Sequence, residues 1–177
     1  MPYWKTRGLR GSAFEELINK TNELYDQRRL AIIQKIPTPI TPVELDSEAH
    51  NIKLAYFDKK STVDYIGVVQ GIPICFDAKE TGRKSFPLQN IHEHQMFFMN
   101  SFTQQKGVAF LLVHFLLTGE VFFLPYESLR PHWDRAEAGG RKSIPYEYFD
   151  AALRVEGRGG FPVHYLEALN TYLVSRG

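Results

Sequence analysis

Apolar residues recur at helical spacing near the start of the chain, where Phe14, Leu17, Ile18, Leu24 and Tyr25 share one face between Ser12 and about Tyr25. Ser12 with Glu15 three residues on is a capping-box pattern that sets the start of this helix. The β-branched, apolar segment from Leu30 to Ile36 predicts a strand. It ends at the proline-rich stretch 37–42, where Pro37, Pro39 and Pro42 forbid helix and favour a stiff extended chain. From there to about Lys53 the chain reads as polar and turn-like. Two short runs follow, Thr62 to Val69 and Ile72 to Lys79, joined at Gln70-Gly71, and these predict a β-hairpin. A loop over Thr81 to Leu88 leads to a second helix, which Asn90 and Glu93 start and Gly107 stops after about Gln105. The nearly continuous apolar run Val108 to Leu117 predicts a strand buried on both faces, with Val121 to Leu124 as its neighbour. A charged, glycine-containing stretch covers Asp134 to Lys142, and a final helix covers about Val163 to Val174. The order α–β–ββ–α–β–β implies an α/β fold with one mixed sheet flanked by helices. No internal repeat, low-complexity region or linker interrupts the 177 residues, so a single domain over 1–177 is expected.

Composition changes this picture little. A hydrophobic fraction of 44% is that of a folded protein with a core. No apolar run approaches bilayer length, and the opening MPYWKTRGLRG has no apolar signal core. Cys75 has no partner for an internal disulfide or a thiolate zinc site. A soluble, cytoplasmic protein with no membrane association is therefore expected. The 21 basic residues against 20 acidic ones give no global field for a polyanion. Local clusters leave DNA binding open, with Arg10, Lys35, Lys59, Lys60, Arg83 and Lys84 as candidate contacts. Each such cluster is more often a solvated surface.

The chemistry concentrates in the hairpin. With Gln70-Gly71 as a two-residue turn, Val69 pairs with Ile72, and the register sets Asp64 opposite Asp77 and Thr62 opposite Lys79. Side chains two apart on a strand share a face, so all four cluster on one side of the hairpin. Directly opposed Cβ atoms sit roughly 5 Å apart, and like charges at that distance destabilise a sheet. A divalent cation compensates, Mg²⁺ being favoured by hard oxygen ligands at roughly 2.1 Å. Lys79 beside the pair is suited to orient a water or stabilise charge developing on a phosphate. The competing reading is an exposed face on which two Asp and one Lys share solvent.

Gln95 falls in the same helical stripe as Ile91, Phe98 and Phe102, where a polar amide needs either a backbone partner or a ligand. Both readings stand. Glu15 has a sufficient structural job in its capping box. His92 and His94, two apart on a helix, point to different faces and make a poor metal pair. His114 reads as a hydrogen-bonded core residue and Cys75 as a packing residue. Triad-like spacing and nucleotide-binding glycine loops are both missing.

Asp64…Asp77-Ala78-Lys79 has the form of the nuclease signature D…(D/E)-x-K. Around it, RGSAFEELINKTNELY, IQKIPTPI, STVDYIGV, ICFDAKET, SFPLQNIHEHQ and WDRAEAGGRKSI closely resemble the RecU family of bacterial Holliday-junction resolvases, in family order from about Arg10 through Ile144. The resemblance implies a restriction-endonuclease-like mixed α/β core working as a homodimer, each subunit cutting one of two opposed strands of a four-way DNA junction. It implies metal positions at Thr62, Asp64, Asp77 and Gln95, filled by Mg²⁺ with Mn²⁺ as substitute. Lys79 takes the place of the transition-state-stabilising lysine, and Glu15 that of the acidic residue of the first helix. Residues 37–56 match the stalk that projects into the junction's open middle. Recombinase and branch-migration proteins are the implied partners and the nucleoid the implied setting. Asp77 stands where Glu is familiar in relatives, and its shorter arm bears on metal geometry. The chain starts almost at the first matched motif, so the longer basic N-terminal arm of some relatives, and its DNA contact, is expected to be absent. The rival readings are a duplex-cutting nuclease of the same fold and a non-catalytic junction-binding or recombination-regulating protein.

Overall fold

A computed structural model of the chain describes residues 13–46, 51–57 and 62–177. In chain order its elements are α1 (Ala13–Gln27), β1 (Ile32–Lys35), β2 (Ile40–Asp46), β3 (Asn51–Phe57), β4 (Tyr65–Val69) and β5 (Ile72–Thr81). They continue as β6 (Ser85–Pro87), α2 (Glu93–Gln104), β7 (Val108–Phe115), β8 (Glu120–Pro125), α3 (Tyr126–Glu137), β9 (Ser143–Pro145), β10 (Arg154–Val155) and α4 (Tyr165–Arg176). Six strands form one sheet in the order β1-β4-β5-β7-β8-β10, while β2–β3 and β6–β9 are separate two-stranded pairs. Neighbours in the main sheet are antiparallel except β5 and β7, which run parallel and are joined by the α2 crossover. This is the mixed sheet flanked by helices that the sequence pattern implies, and it is consistent with a restriction-endonuclease-like core.

The run 108–115 is apolar throughout except at His114 because both faces of β7 are covered. Val108, Phe110 and Leu112 pack with Phe14, Ile18 and Tyr25 of α1 and with Tyr165, Leu169 and Tyr172 of α4. Ala109, Leu111, Val113 and Phe115 pack on the opposite face with Met96 and Met99 of α2 and Leu129 of α3. On the α1/α4 face an aromatic ladder crosses four strands. Tyr65, Phe76, Phe110 and Phe123 stack in sequence with ring centroids 4.7, 4.8 and 4.1 Å apart. Such pairs contribute about 0.5–1.5 kcal/mol each beyond the area they bury.

The hairpin forms with the expected register, from Val69↔Ile72 to Tyr65↔Phe76. Gln70 and Gly71 both have positive φ, 50° and 86°, which is the primed turn whose twist matches the flanking strands. Three segments differ from expectation. The stretch from 40 to 57 is a β-ribbon of β2 and β3, not a turn-rich connection, with a register shift beside Pro42. A bulge tolerates the missing proline N–H. Residues 126–137 form α3, a helix hidden in the sequence by the internal Pro131 and by a short apolar face, of which Tyr126 and Leu129 are buried. The second helix begins at Glu93 with His92 as its N-cap, so Asn90 lies in a preceding 3₁₀ turn and not at the cap. Ser12 lies outside the described residues, and with it the capping box of α1.

Gly67 holds the edge of this sheet together. It pairs with Ile33 of β1 and with Ile74 of β5, and a Cβ there would lie 2.3 Å from the Ile32 carbonyl oxygen and 2.8 Å from Ile33 Cα. Backbone on both sides leaves no flexible atom to give way. Gly67→Ala is expected to destabilise the fold by roughly 1–3 kcal/mol through this overpacking, read as a lowered midpoint in urea. An unchanged midpoint would mean that β1 does not approach β4 this closely.

Candidate active site

The β4–β5 ladder stops at Tyr65↔Phe76, one pair short of the two aspartates. Thr62 and Asp64 lie in bends, and the main chain there turns toward its neighbours on both sides. The Asp64 N–H donates to Asp77 Oδ1 at 2.6 Å, and the Asp64 carbonyl accepts from the Ile36 N–H at 2.8 Å. The predicted juxtaposition of Asp64 with Asp77 is therefore real but is made by a backbone–carboxylate hydrogen bond instead of a ladder pair. The predicted pairing of Thr62 with Lys79 does not form, because the strand ends before reaching it; Thr62 is half-buried in its bend. β5 meanwhile runs on beside β7, with Asp77 opposite Leu111 and Lys79 opposite Val113. Alternation along β5 turns Cys75, Asp77 and Lys79 to the α2 face, where Gln95 sits on the first turn of the helix.

Asp77 is 0% exposed. One of its oxygens holds the Asp64 N–H, while Oδ2 has no hydrogen-bond partner and lies 3.3 Å from Lys79 Nζ. A sealed carboxylate oxygen without a hydrogen-bond donor is costly. Burial, and then the Asp77 carboxylate beside it, push the Asp64 carboxyl up to about 6, with Lys79 and the Ala78 N–H pulling the other way. Two hard anionic groups at this spacing, one with a free oxygen, fit a divalent cation. Among the described residues no group of three or more His, Cys, Asp or Glu side chains converges on such a point, so the two aspartates are the anionic donors. The structure brings together Asp64, Asp77, Lys79 and Gln95.

Gln95 is 6% exposed, and its Oε1 accepts from the His92 N–H at 3.0 Å and from Lys79 Nζ at 3.3 Å. Glu15 stands on α1 and holds Lys35 Nζ at 2.6 Å, close enough to Tyr65 to act on its hydroxyl along with Asp64 and Asp77. His92 and His94 do not diverge as expected. Their rings stack at 5.3 Å and 11°, because His92 is an extended N-cap (φ −90°, ψ 148°) and not a helical residue. His114 accepts or donates at Nδ1 to Glu80 Oε1 at 3.0 Å and packs its ring on Phe14. Cys75 is fully buried, which pushes its thiol up. Of the candidate DNA contacts, Lys35 is paired with Glu15, Arg83 and Lys84 are exposed between β5 and β6, and Arg10, Lys59 and Lys60 lie outside the described residues. Sequence reasoning missed the main-chain donors of Asp64 and His92, which carry no side-chain signal; only the Gln95 position, third in its helix, hints at the second.

Residues 9–171 match the model of a family described as RecU, recombination protein U. A protein of Levilactobacillus brevis named Holliday junction resolvase RecU is 40% identical over 171 residues, covering 94% of this chain and 85% of that protein. Its namesake in Pediococcus pentosaceus is 44% identical over 168 residues, covering 92% and 84%. That of a Geobacillus species is 43% identical over 148 residues, covering 81% and 74%.

The raised Asp64 has a consequence for stability. Unfolded, an aspartate ionises near 3.9; folded, Asp64 keeps its proton to about 6. The fold therefore loses stability as pH rises through that window and carries the whole penalty above it. In the presence of a chelator, Asp64→Asn is expected to stabilise the protein near pH 8 by on the order of 1–2 kcal/mol, discounted for partial exposure. Below about pH 4, where both side chains are neutral, the gain vanishes. Melts of the two proteins at both pH values check this; destabilisation near pH 8 would contradict it.

Proposed function

The chain belongs to the RecU family, and from that premise we propose that it is a Holliday junction resolvase, a divalent-metal-dependent endonuclease that nicks four-way DNA junctions. The observation that carries this reading is the Asp77 carboxylate, sealed in the sheet with one oxygen unbonded beside Asp64 and Lys79. A protein that only binds junctions gains nothing from that expense. The names of the relatives support the substrate.

Asp77 Oδ2 and the Asp64 carboxylate would hold the cation, Mg²⁺ with Mn²⁺ as substitute, and Thr62 and Gln95 would serve it directly or through water. When bound, the cation supplies Lewis-acid activation of water and neutralises charge on the phosphate. Asp77 contributes a single oxygen, since Oδ1 stays with the Asp64 N–H. Lys79 keeps its ammonium at the same edge through Asp77 and Gln95, and its remaining hydrogen is available to a phosphate oxygen as charge develops there. Hydrolysis would leave 5′-phosphate and 3′-hydroxyl ends. Glu15, held by Lys35, would act from α1 at the border of this centre. A homodimer would present two such centres to the two opposed strands, with the β2–β3 ribbon as the stalk entering the open middle of the junction. Arg83 and Lys84, beyond the end of β5, are the described candidates for backbone phosphate contacts.

Asp64→Ala and Lys79→Ala are expected to lower nicking of a synthetic mobile four-way junction by at least on the order of 10²–10³. Both should still shift the junction in a gel. Cutting by both at the normal rate would remove these residues from the chemistry. A linear duplex of the same sequence should be cut far more slowly than the junction; equal rates would favour a duplex-cutting nuclease on the same fold.

A further inference from the structure

We propose that Gln95 is a positioning residue for Lys79 and not a ligand of the cation, an inference that rests on the nuclease reading above. The argument begins with the amide itself. A carboxamide offers one oxygen with two lone pairs and one nitrogen that only donates. The two groups facing Gln95, the His92 N–H at 3.0 Å and the Lys79 ammonium at 3.3 Å, are both obligate donors. That fixes which end of the amide is oxygen, without appeal to the choice of flip. Both lone pairs of Oε1 are then in use, and the nitrogen cannot bind a metal.

The surroundings lock this arrangement. Gln95 is the third residue of α2, its own N–H donates to the His92 carbonyl at 3.0 Å, and its side chain returns the bond to the His92 N–H. The helix start thus holds the side chain by a reciprocal turn, and 6% exposure leaves little room for another rotamer. To ligate a cation, Oε1 would have to give up the His92 N–H, the Lys79 ammonium or both. Freeing a donor at a helix start costs the desolvation of an unpaired N–H. In the observed arrangement the amide pins the lysine beside Asp77 Oδ2, 3.3 Å away on its other side. Two of the three ammonium hydrogens are thereby directed, and the third has a fixed heading.

The test separates the two roles by metal affinity and by coupling. Mn²⁺ binding is titrated calorimetrically in the absence of DNA, and junction nicking is followed under single-turnover conditions at saturating Mn²⁺. For Gln95→Leu, positioning predicts Mn²⁺ affinity within about threefold of the normal protein and a nicking rate down on the order of a hundredfold. The double variant with Lys79→Met should be no slower than Lys79→Met alone, because both changes remove the same oriented ammonium. If Gln95→Leu fails to fold, Gln95→Glu decides by Mn²⁺ binding: within about threefold if the carboxylate stays with Lys79, at least tenfold tighter if this position reaches the cation. A tenfold loss of Mn²⁺ affinity in Gln95→Leu, or losses from Gln95 and Lys79 that multiply, overturns the proposal while leaving the nuclease reading intact. A normal protein that neither binds Mn²⁺ nor nicks any junction overturns the nuclease reading first, and this inference with it.

Discussion

A carboxylate with no access to water sits in the middle of the main sheet, and much of the local architecture answers to it. Asp77 lies on β5, which has a strand hydrogen-bonded along each edge and helices over both faces. Its charge cannot be met by solvent, so it must be met by the chain. One oxygen takes the Asp64 N–H at 2.6 Å, a donor released because the β4 ladder ends one residue too early to use it. The other faces the Lys79 ammonium. Lys79 in turn leans on Gln95, and Gln95 on the first N–H of α2. A buried charge, a strand end and a helix cap therefore form one connected set, and a change at any of them is felt at the others.

The scaffold keeps this set rigid by making the two faces of the sheet unlike. On the α1/α4 side the ladder of Tyr65, Phe76, Phe110 and Phe123 is continuous and apolar. On the α2/α3 side the same strands are apolar at Cys75 and Ala109 but turn polar at Asp77 and Lys79, toward the carboxyl end of parallel β5. Ligand sites in α/β sheets sit at that end because the crossover helix starts there, and here it delivers Gln95. Dense packing on the far face means that relaxation around the aspartates cannot come from the sheet. It has to come from a cation or from a proton on Asp64, and the raised affinity of Asp64 for a proton reflects that choice.

How far the sequence speaks depends on whether a feature is local. The hairpin register was readable because a two-residue turn with Gly71 and the strict period of two leave one answer, and parity alone puts Asp64 and Asp77 on a common face. Where the ladder ends was not readable, since that depends on β1 reaching over to take the Asp64 carbonyl. The β2–β3 ribbon escaped notice because Pro37, Pro39 and Pro42 argue against strands unless a bulge is already known to be there. α3 was hidden by Pro131. The stacking of His92 and His94 was missed by applying helical geometry to a residue that caps the helix in extended form. In each case the deciding contact is made with a distant part of the chain or by the main chain itself. The family resemblance was legible at the level of whole motifs, but it assigns positions and not the atoms that face one another.

Those atoms bear on the aspartate that stands where relatives familiarly carry glutamate. The shorter arm keeps the Asp77 carboxylate close to its own strand, within reach of the Asp64 N–H, and that bond commits one oxygen. A longer arm would carry both oxygens past the strand end and away from this donor. With aspartate, the strand contributes one oxygen and a fixed direction, so the remaining positions around a cation fall to Asp64, to substrate and to water. Mg²⁺ retains water readily and demands near-octahedral angles, which suits a site that supplies few protein oxygens but holds them firmly. The shorter residue thus trades donor number for rigidity, and the network through Lys79, Gln95 and His92 extends that rigidity to the one group in the centre that carries positive charge.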